Sequence, residues 1–278
     1  MEEKAPSKTT ESPLSHPSTV RSLASQALSQ VLKSRNRPTS GCDAMLLNRL
    51  CDAVCHRSSS EKDGAVELLL SSGVSPIRLV DTYAAEAARQ LGADWCDDTR
   101  SFAEVSLGSA RLQALIRAHG RLDRTTAHRT SASLAVFVPG SEQHTIGSLI
   151  LTQQLRRHGF SVRLIMGRPD NELLSEVQRT SFDAIFLSVS SFRNYAPLER
   201  LVRKLRTVAR QDAPIVLGGP TLSEMSEEAV SKTGVDFATD NMAEALRFCG
   251  LDTLVRLVST NGFTPVDVRQ TVTYRSTG

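Results

Sequence analysis

The hydrophobic rhythm of the chain changes near residue 130, and that change limits the fold more than any single residue does. After it, short β-type apolar runs at 134–138, 162–166, 184–189, 214–217 and 236–239 alternate with stretches of helical spacing. The helical stretches are 145–158, ended by Gly159, 170–179, with Asp170 as its cap, 198–210, 223–233 and 242–248. Strands separated by helices are joined by crossovers, and crossovers give a parallel sheet covered on both faces. The alternation therefore predicts a doubly wound, flavodoxin-like α/β domain over 132–250, built on a five-stranded parallel sheet.

Upstream of the change only the helical period is present. Val20, Leu23, Ala24, Ala27, Leu28, Val31 and Leu32 form one stripe, closed by Lys33, Arg35, Arg37 and Pro38. A second helix fits 43–56, with Leu46, Leu47, Leu50 and Val54 inward, and a third fits 62–70, stopped near Gly73. Ser75 can cap a fourth, Pro76 suits its first position and Gly92 can end it. A fifth is expected from 99 to 118, capped by Asp97 or Asp98. Residues 19–119 thus read as an all-helical bundle, 1–18 as a disordered Ser/Thr/Pro-rich tail, and 120–131 as a linker. Residues 251–278 read as a C-terminal tail whose first part, 251–258, can extend the last helix.

A formal net charge of +3 is too small to mark the whole chain as a nucleic-acid binder. Arg200, Arg203, Lys204, Arg206 and Arg210 crowd one helix, and Arg111, Arg117, Arg121, Arg124 and Arg129 cluster at the end of the bundle; both sets read as solvated faces. No run is long enough to span a membrane, and the first residues lack the apolar centre of a signal peptide, so a cytoplasmic protein with no membrane partner is expected. The five cysteines are odd in number and unevenly spaced, which argues against a disulfide framework. Cys51, Cys55 and His56 hint at a metal, but no second ligand pair has finger-like spacing, and two small core residues on one helical face is the preferred reading.

In a doubly wound sheet, ligands sit beyond the C-terminal ends of the strands near the switch point. Three features fall there: the loop Pro139-Gly-Ser-Glu142-Gln-His144-Thr-Ile-Gly147, the strand end Ser188-Val-Ser190, and Gly218-Gly219-Pro220. Taken singly, a loop histidine is most often a solvated residue, a glycine pair a tight turn, and a strand-end serine a partner of local backbone. Their coincidence at one rim is what points to a site.

These residues resemble the cobalamin-binding domains of methionine synthase, the mutases and the corrinoid carriers, which share Asp-x-His-x-x-Gly, Ser-x-Leu and Gly-Gly. Here Glu142-x-His144-x-x-Gly147 is followed, after 148–187, by Ser188-x-Ser190 and, after 191–217, by Gly218-Gly219. Glu142 replaces the family's Asp, and Ser190 replaces its Leu. The resemblance implies cobalamin, as adenosylcobalamin or hydroxocobalamin, with His144 as the cobalt ligand. Imidazole suits such a metal, and its second nitrogen wants an acceptor, a role for Glu142. The extra methylene of Glu142 suggests a longer hydrogen bond, or one through water. Gly147, Gly218 and Gly219 would let the displaced nucleotide tail approach the backbone, and Ser188 would offer it a hydroxyl. Ser190 leaves the packing of the pocket wall open.

Small cobalamin proteins often set a helix bundle over the corrin, and Trp95 and Phe102 are candidates to shield an upper ligand; ordinary bundle core is the alternative for both. In the light-sensing cobalamin repressors a histidine follows a glutamate in a comparable place, but here Val105 follows Glu104, so that ligand is missing. The bundle, the Glu-x-His-x-x-Gly loop and the long N-terminus together resemble the AerR/PpaA antirepressors of purple photosynthetic bacteria, over about residues 75–250. That resemblance implies a light-responsive, non-enzymatic regulator acting on a PAS-type, helix-turn-helix repressor (PpsR/CrtJ-like), and meeting DNA only indirectly. Haem on His144 is a less favoured cofactor. A corrinoid methyl carrier, which shares the layout, is the alternative function.

Overall fold

A computed structural model describes residues 41–120, 130–140, 142–190, 196–220, 222, 225–252 and 274–275. The stripe at 20–32, the tail at 1–18, Arg121, Arg124 and Arg129, and most of 251–278 lie outside them. The helical half comprises α1 (Ala44–Cys55), α2 (Ser59–Ser71), a short α3 (Pro76–Arg78), a π-helical segment (Leu79–Ala84), α4 (Ala85–Cys96) and α5 (Phe102–His119). Asp43 caps α1 by accepting from the backbone of Met45 and Leu46, and Ser75 caps α3 ahead of Pro76.

Two expected boundaries are corrected. Gly92 does not end its helix, which runs on to Cys96 with Asp97 at its C-terminus; a single glycine weakens a helix without breaking it when the flanking turns are packed. The next helix is capped by Ser101 rather than Asp97 or Asp98. Ser101 and Glu104 form a reciprocal capping box, in which Ser101 Oγ accepts from the Glu104 N–H and the Glu104 carboxylate accepts from the Ser101 N–H. Asp98 instead adopts a positive φ of 54° in the connecting turn, a conformation that Asp tolerates better than most residues.

The α/β half runs β1 (Ser133–Val138), α6 (Ile146–Arg157), β2 (Ser161–Met166), α7 (Asp170–Arg179), β3 (Ala184–Ser188), α8 (Ala196–Val208), β4 (Ile215–Gly218), α9 (Glu227–Thr233), β5 (Phe237–Ala238) and α10 (Met242–Phe248). Strand order is β2-β1-β3-β4-β5, all parallel, as the alternation predicts. A two-residue strand β6 (Tyr274–Arg275), which the sequence did not suggest, pairs antiparallel with β5. Asp170 is the first residue of α7 and not its cap, a position taken by Pro169. Ser226 caps α9, so that helix starts later than residue 223.

Both faces of the sheet are buried, and the side-chain period of two divides them. Ala135, Phe137, Ile185, Leu187, Ile215 and Leu217 pack with α7, α8 and α9. Leu134, Val136, Ala184, Phe186 and Val216 face α6 and α10. A third core fills the helical half around Leu50, Leu69, Leu79, Tyr83, Leu91, Leu112 and Ile116, and it continues onto Leu149 and Ile150 of α6. Helix α6 is therefore shared between the two halves.

Among the described residues, most of the crowded arginines serve the fold. Arg203 pairs with Glu199, Arg206 with Asp236, and Arg210 with Asp183 and Asp212. Arg111 donates to the carbonyls of Val54, His56 and Arg57 at the end of α1. No described helix is long and apolar enough to cross a membrane.

Candidate functional site

The strand order puts the switch point between the neighbouring strands β1 and β3, and the loops after these two strands meet there. The β1 loop turns back on itself through Glu142 N–H donating to the Pro139 carbonyl at 2.9 Å. That turn aims the Glu142 side chain inward, where it is only 6% exposed, while the His144 side chain is 76% exposed. Glu142 Oε1 accepts from the His144 backbone N–H at 2.8 Å and lies 3.0 Å from His144 Nδ1. Across the switch point, Ser190 N–H donates to Glu142 Oε2 at 2.6 Å, and Ser190 Oγ donates to Oε1 at 2.6 Å. Ser190 Oγ also lies 2.6 Å from His144 Nδ1.

The longer or water-bridged contact expected from the extra methylene of Glu142 is corrected: the carboxylate reaches the ring directly. Burial raises the Glu142 pKa, but hydrogen bonds from Ser190 Oγ, the two backbone N–H groups and the His144 ring outweigh it and hold the carboxyl below its usual value. An ionised carboxylate only accepts, so the proton between it and the imidazole sits on Nδ1. Nε2 is then the ring nitrogen left to bind a metal, and the carboxylate behind Nδ1 strengthens it as a donor. Among the described residues no three His, Cys, Asp or Glu side chains gather to hold a metal ion. The loop offers one good ligand and no cage, which suits a metal that arrives with its remaining donors.

The glycines divide into two kinds. A Cβ on Gly147 would meet nothing within 4 Å, and one on Gly218 would touch only the Thr239 and Leu187 carbonyls, at 3.5 and 3.8 Å. Gly219 is different: at φ +144° its Cβ would lie 1.8 Å from the Val189 carbonyl oxygen. Its lack of a side chain is demanded by the protein's own β3 loop. Ser188 ends β3 half-buried, in register with Gly218. Ser148, which the sequence reading passed over as one more residue of α6, is 1% exposed, and its hydroxyl has no hydrogen-bond partner. Such an orphan beside the loop is a second polar group that a ligand could satisfy. Only its burial, invisible in the residue string, singles it out.

Trp95 and Phe102 come together with ring centroids 6.3 Å apart, at 50% and 71% exposure. The alternative of ordinary bundle core is excluded for both. Cys51 and Cys55, in contrast, are buried in that core, and burial pushes the Cys51 thiol up to about 12.

Residues 132–247 match the B12 binding domain family. The chain is 34% identical over 163 residues, 58% of its length, to an uncharacterized 20.5 kDa protein from the bchF-crtJ intergenic region of Rhodobacter capsulatus, of which it covers 84%. Among solved structures, the Methanosarcina barkeri monomethylamine corrinoid protein is similar in fold, with a TM-score of 0.59 at 14% identity over 76% of this chain and 100% of that one.

Proposed function

The chain belongs to the AerR/PpaA-type family of the Rhodobacter capsulatus bchF-crtJ protein and carries a B12 binding domain, and from that premise we propose that it is a cobalamin-dependent, light-responsive antirepressor. The observation that carries the reading is the buried Glu142 carboxylate behind an exposed His144 ring. The site fits the group: Gly147 leaves open space beside the ligand, and Ser148 keeps a buried hydroxyl without a partner. His144 would take the cobalt through Nε2. Glu142 keeps the proton on Nδ1, and Ser190 pins that carboxylate from the opposite loop. Ser188, Gly218 and Gly219 line the rim where the nucleotide tail would enter. Trp95 and Phe102 would cover the upper face from the helical half.

Bound there, cobalamin would supply a light-sensitive cobalt–carbon bond. The protein's own part would be to hold the cobalt through His144, backed by Glu142 and Ser190, so that a ligand change would bias a surface rather than a reaction. A PAS-type repressor of photosynthesis genes (PpsR/CrtJ-like) is the proposed partner, supported by the place of the relative beside crtJ. The test is capture of that repressor by protein loaded with adenosylcobalamin, in the dark and after illumination. Light-dependent capture is expected. Methyl transfer to a thiol by a partner enzyme, without capture, would replace this reading with that of a methyl carrier.

A further inference from the structure

Helix α6 starts at the His144 loop, yet much of its packing is against the helical half. Leu149 and Ile150 sit in the same core as Leu112, Leu115 and Ile116 of α5. Each end of α6 is also tied by a polar contact. At the C-terminal end, Arg157 pairs with Asp81 on the π-helical segment, with the two side chains 13% and 21% exposed. At the N-terminal end, Gln113 Nε2 of α5 donates to Thr145 Oγ1 at 3.1 Å.

Thr145 is the residue after His144 and occupies the N-cap position of α6. A threonine there normally turns its hydroxyl onto its own helix. Here no side-chain cap bond is made, and the hydroxyl faces Gln113 instead. Arg117 donates to Gln113 Oε1 at 3.3 Å, which fixes the amide with its NH₂ toward Thr145. The helical half thus holds the side chain of the residue next to His144.

We propose that Gln113 is a positioning residue for His144, and that the Gln113–Thr145 bond is the contact through which movement of the helical half reaches the ligand loop. The significance for cobalt rests on the reading of His144 given above, while the mechanical coupling does not. Because coupling is reciprocal, a ligand change felt at His144 would be passed back to the helical half by the same route.

The test uses the full chain and four variants: Gln113→Leu, Thr145→Val, Thr145→Ser and the double variant Gln113→Leu/Thr145→Val. Amide hydrogen exchange is read without cofactor at 143–147, with 184–188 in β3 as the monitor of global stability. Exchange at 143–147 should rise roughly fivefold in Gln113→Leu and in Thr145→Val, the worth of one hydrogen bond to a local opening. Thr145→Ser should behave as wild type, the double variant should be no worse than either single one, and β3 should not change. With hydroxocobalamin added, the same two single variants should show a smaller imidazole-ligated fraction in the absorption spectrum. Unchanged exchange in both single variants, or a Thr145→Ser effect equal to that of Thr145→Val, would overturn the proposal. Should the wild type take up no hydroxocobalamin, the cofactor reading fails and the exchange pattern alone decides the coupling.

Discussion

Cys51 and Cys55 lie one helical turn apart inside the bundle, whereas His144 stands on an open loop at the rim of the sheet. Both places hold residue types that bind metals. At the first, burial favours the neutral thiol, the form that does not coordinate. At the second, the buried group is the carboxylate and the imidazole is exposed. Glu142 meets the desolvation cost with hydrogen bonds from Ser190 and His144, and so keeps its charge. A metal ligand needs a partner that fixes its proton and an open side for the metal, and only the second place has both.

The comparison breaks first if the rim tolerates a side chain where its backbone segments touch. Gly219→Ala drives a Cβ into the Val189 carbonyl and should cost about 2–4 kcal/mol of stability in urea unfolding. Gly218→Ala makes ordinary contacts and should stay within about 1 kcal/mol of wild type.

Next in size is Glu142→Gln, which removes the charge and keeps the shape. Hydroxocobalamin affinity should fall roughly 10–100-fold, the usual cost of losing the acceptor behind a ligating histidine. Its pH dependence follows from the direction of the shift. A carboxyl held below its usual value in the folded protein contributes stability above its unfolded pKa, and that stability is lost as pH falls through the folded pKa. The stability gap between wild type and Glu142→Gln should therefore be full at neutral pH and close on acidification through the carboxylate range and below. A gap that widens in acid would contradict the assignment.

The smallest effect belongs to the bundle cysteines. Cys51→Ala should cost about 1 kcal/mol of stability through lost packing and leave cobalamin uptake unchanged. Weakened uptake at full stability would mean that the helical core takes part in binding.

The α/β layout was legible because both faces of the sheet are covered, and doubly buried strands such as Leu134–Val138 announce themselves as apolar runs. The site was legible as three loops, since the period of the elements places their ends at one rim. What could not be read were features set by distance rather than by pattern. The place of Ser190 in the Glu142 clamp depends on the β1 and β3 loops meeting across 48 residues of sequence. The hydroxyl of Ser148 looks like any other serine until its burial is known. Gly219 read as room for a ligand, although its nearest neighbour is the protein's own Val189 carbonyl.

The central claim is that His144, held through Nδ1 by Glu142, is the ligand the chain presents to cobalt. The absorption spectrum of hydroxocobalamin bound to wild type and to His144→Ala tests it most directly. An imidazole-ligated spectrum is expected in the wild type and should be lost in the variant. The same cobalt spectrum in both proteins would contradict it.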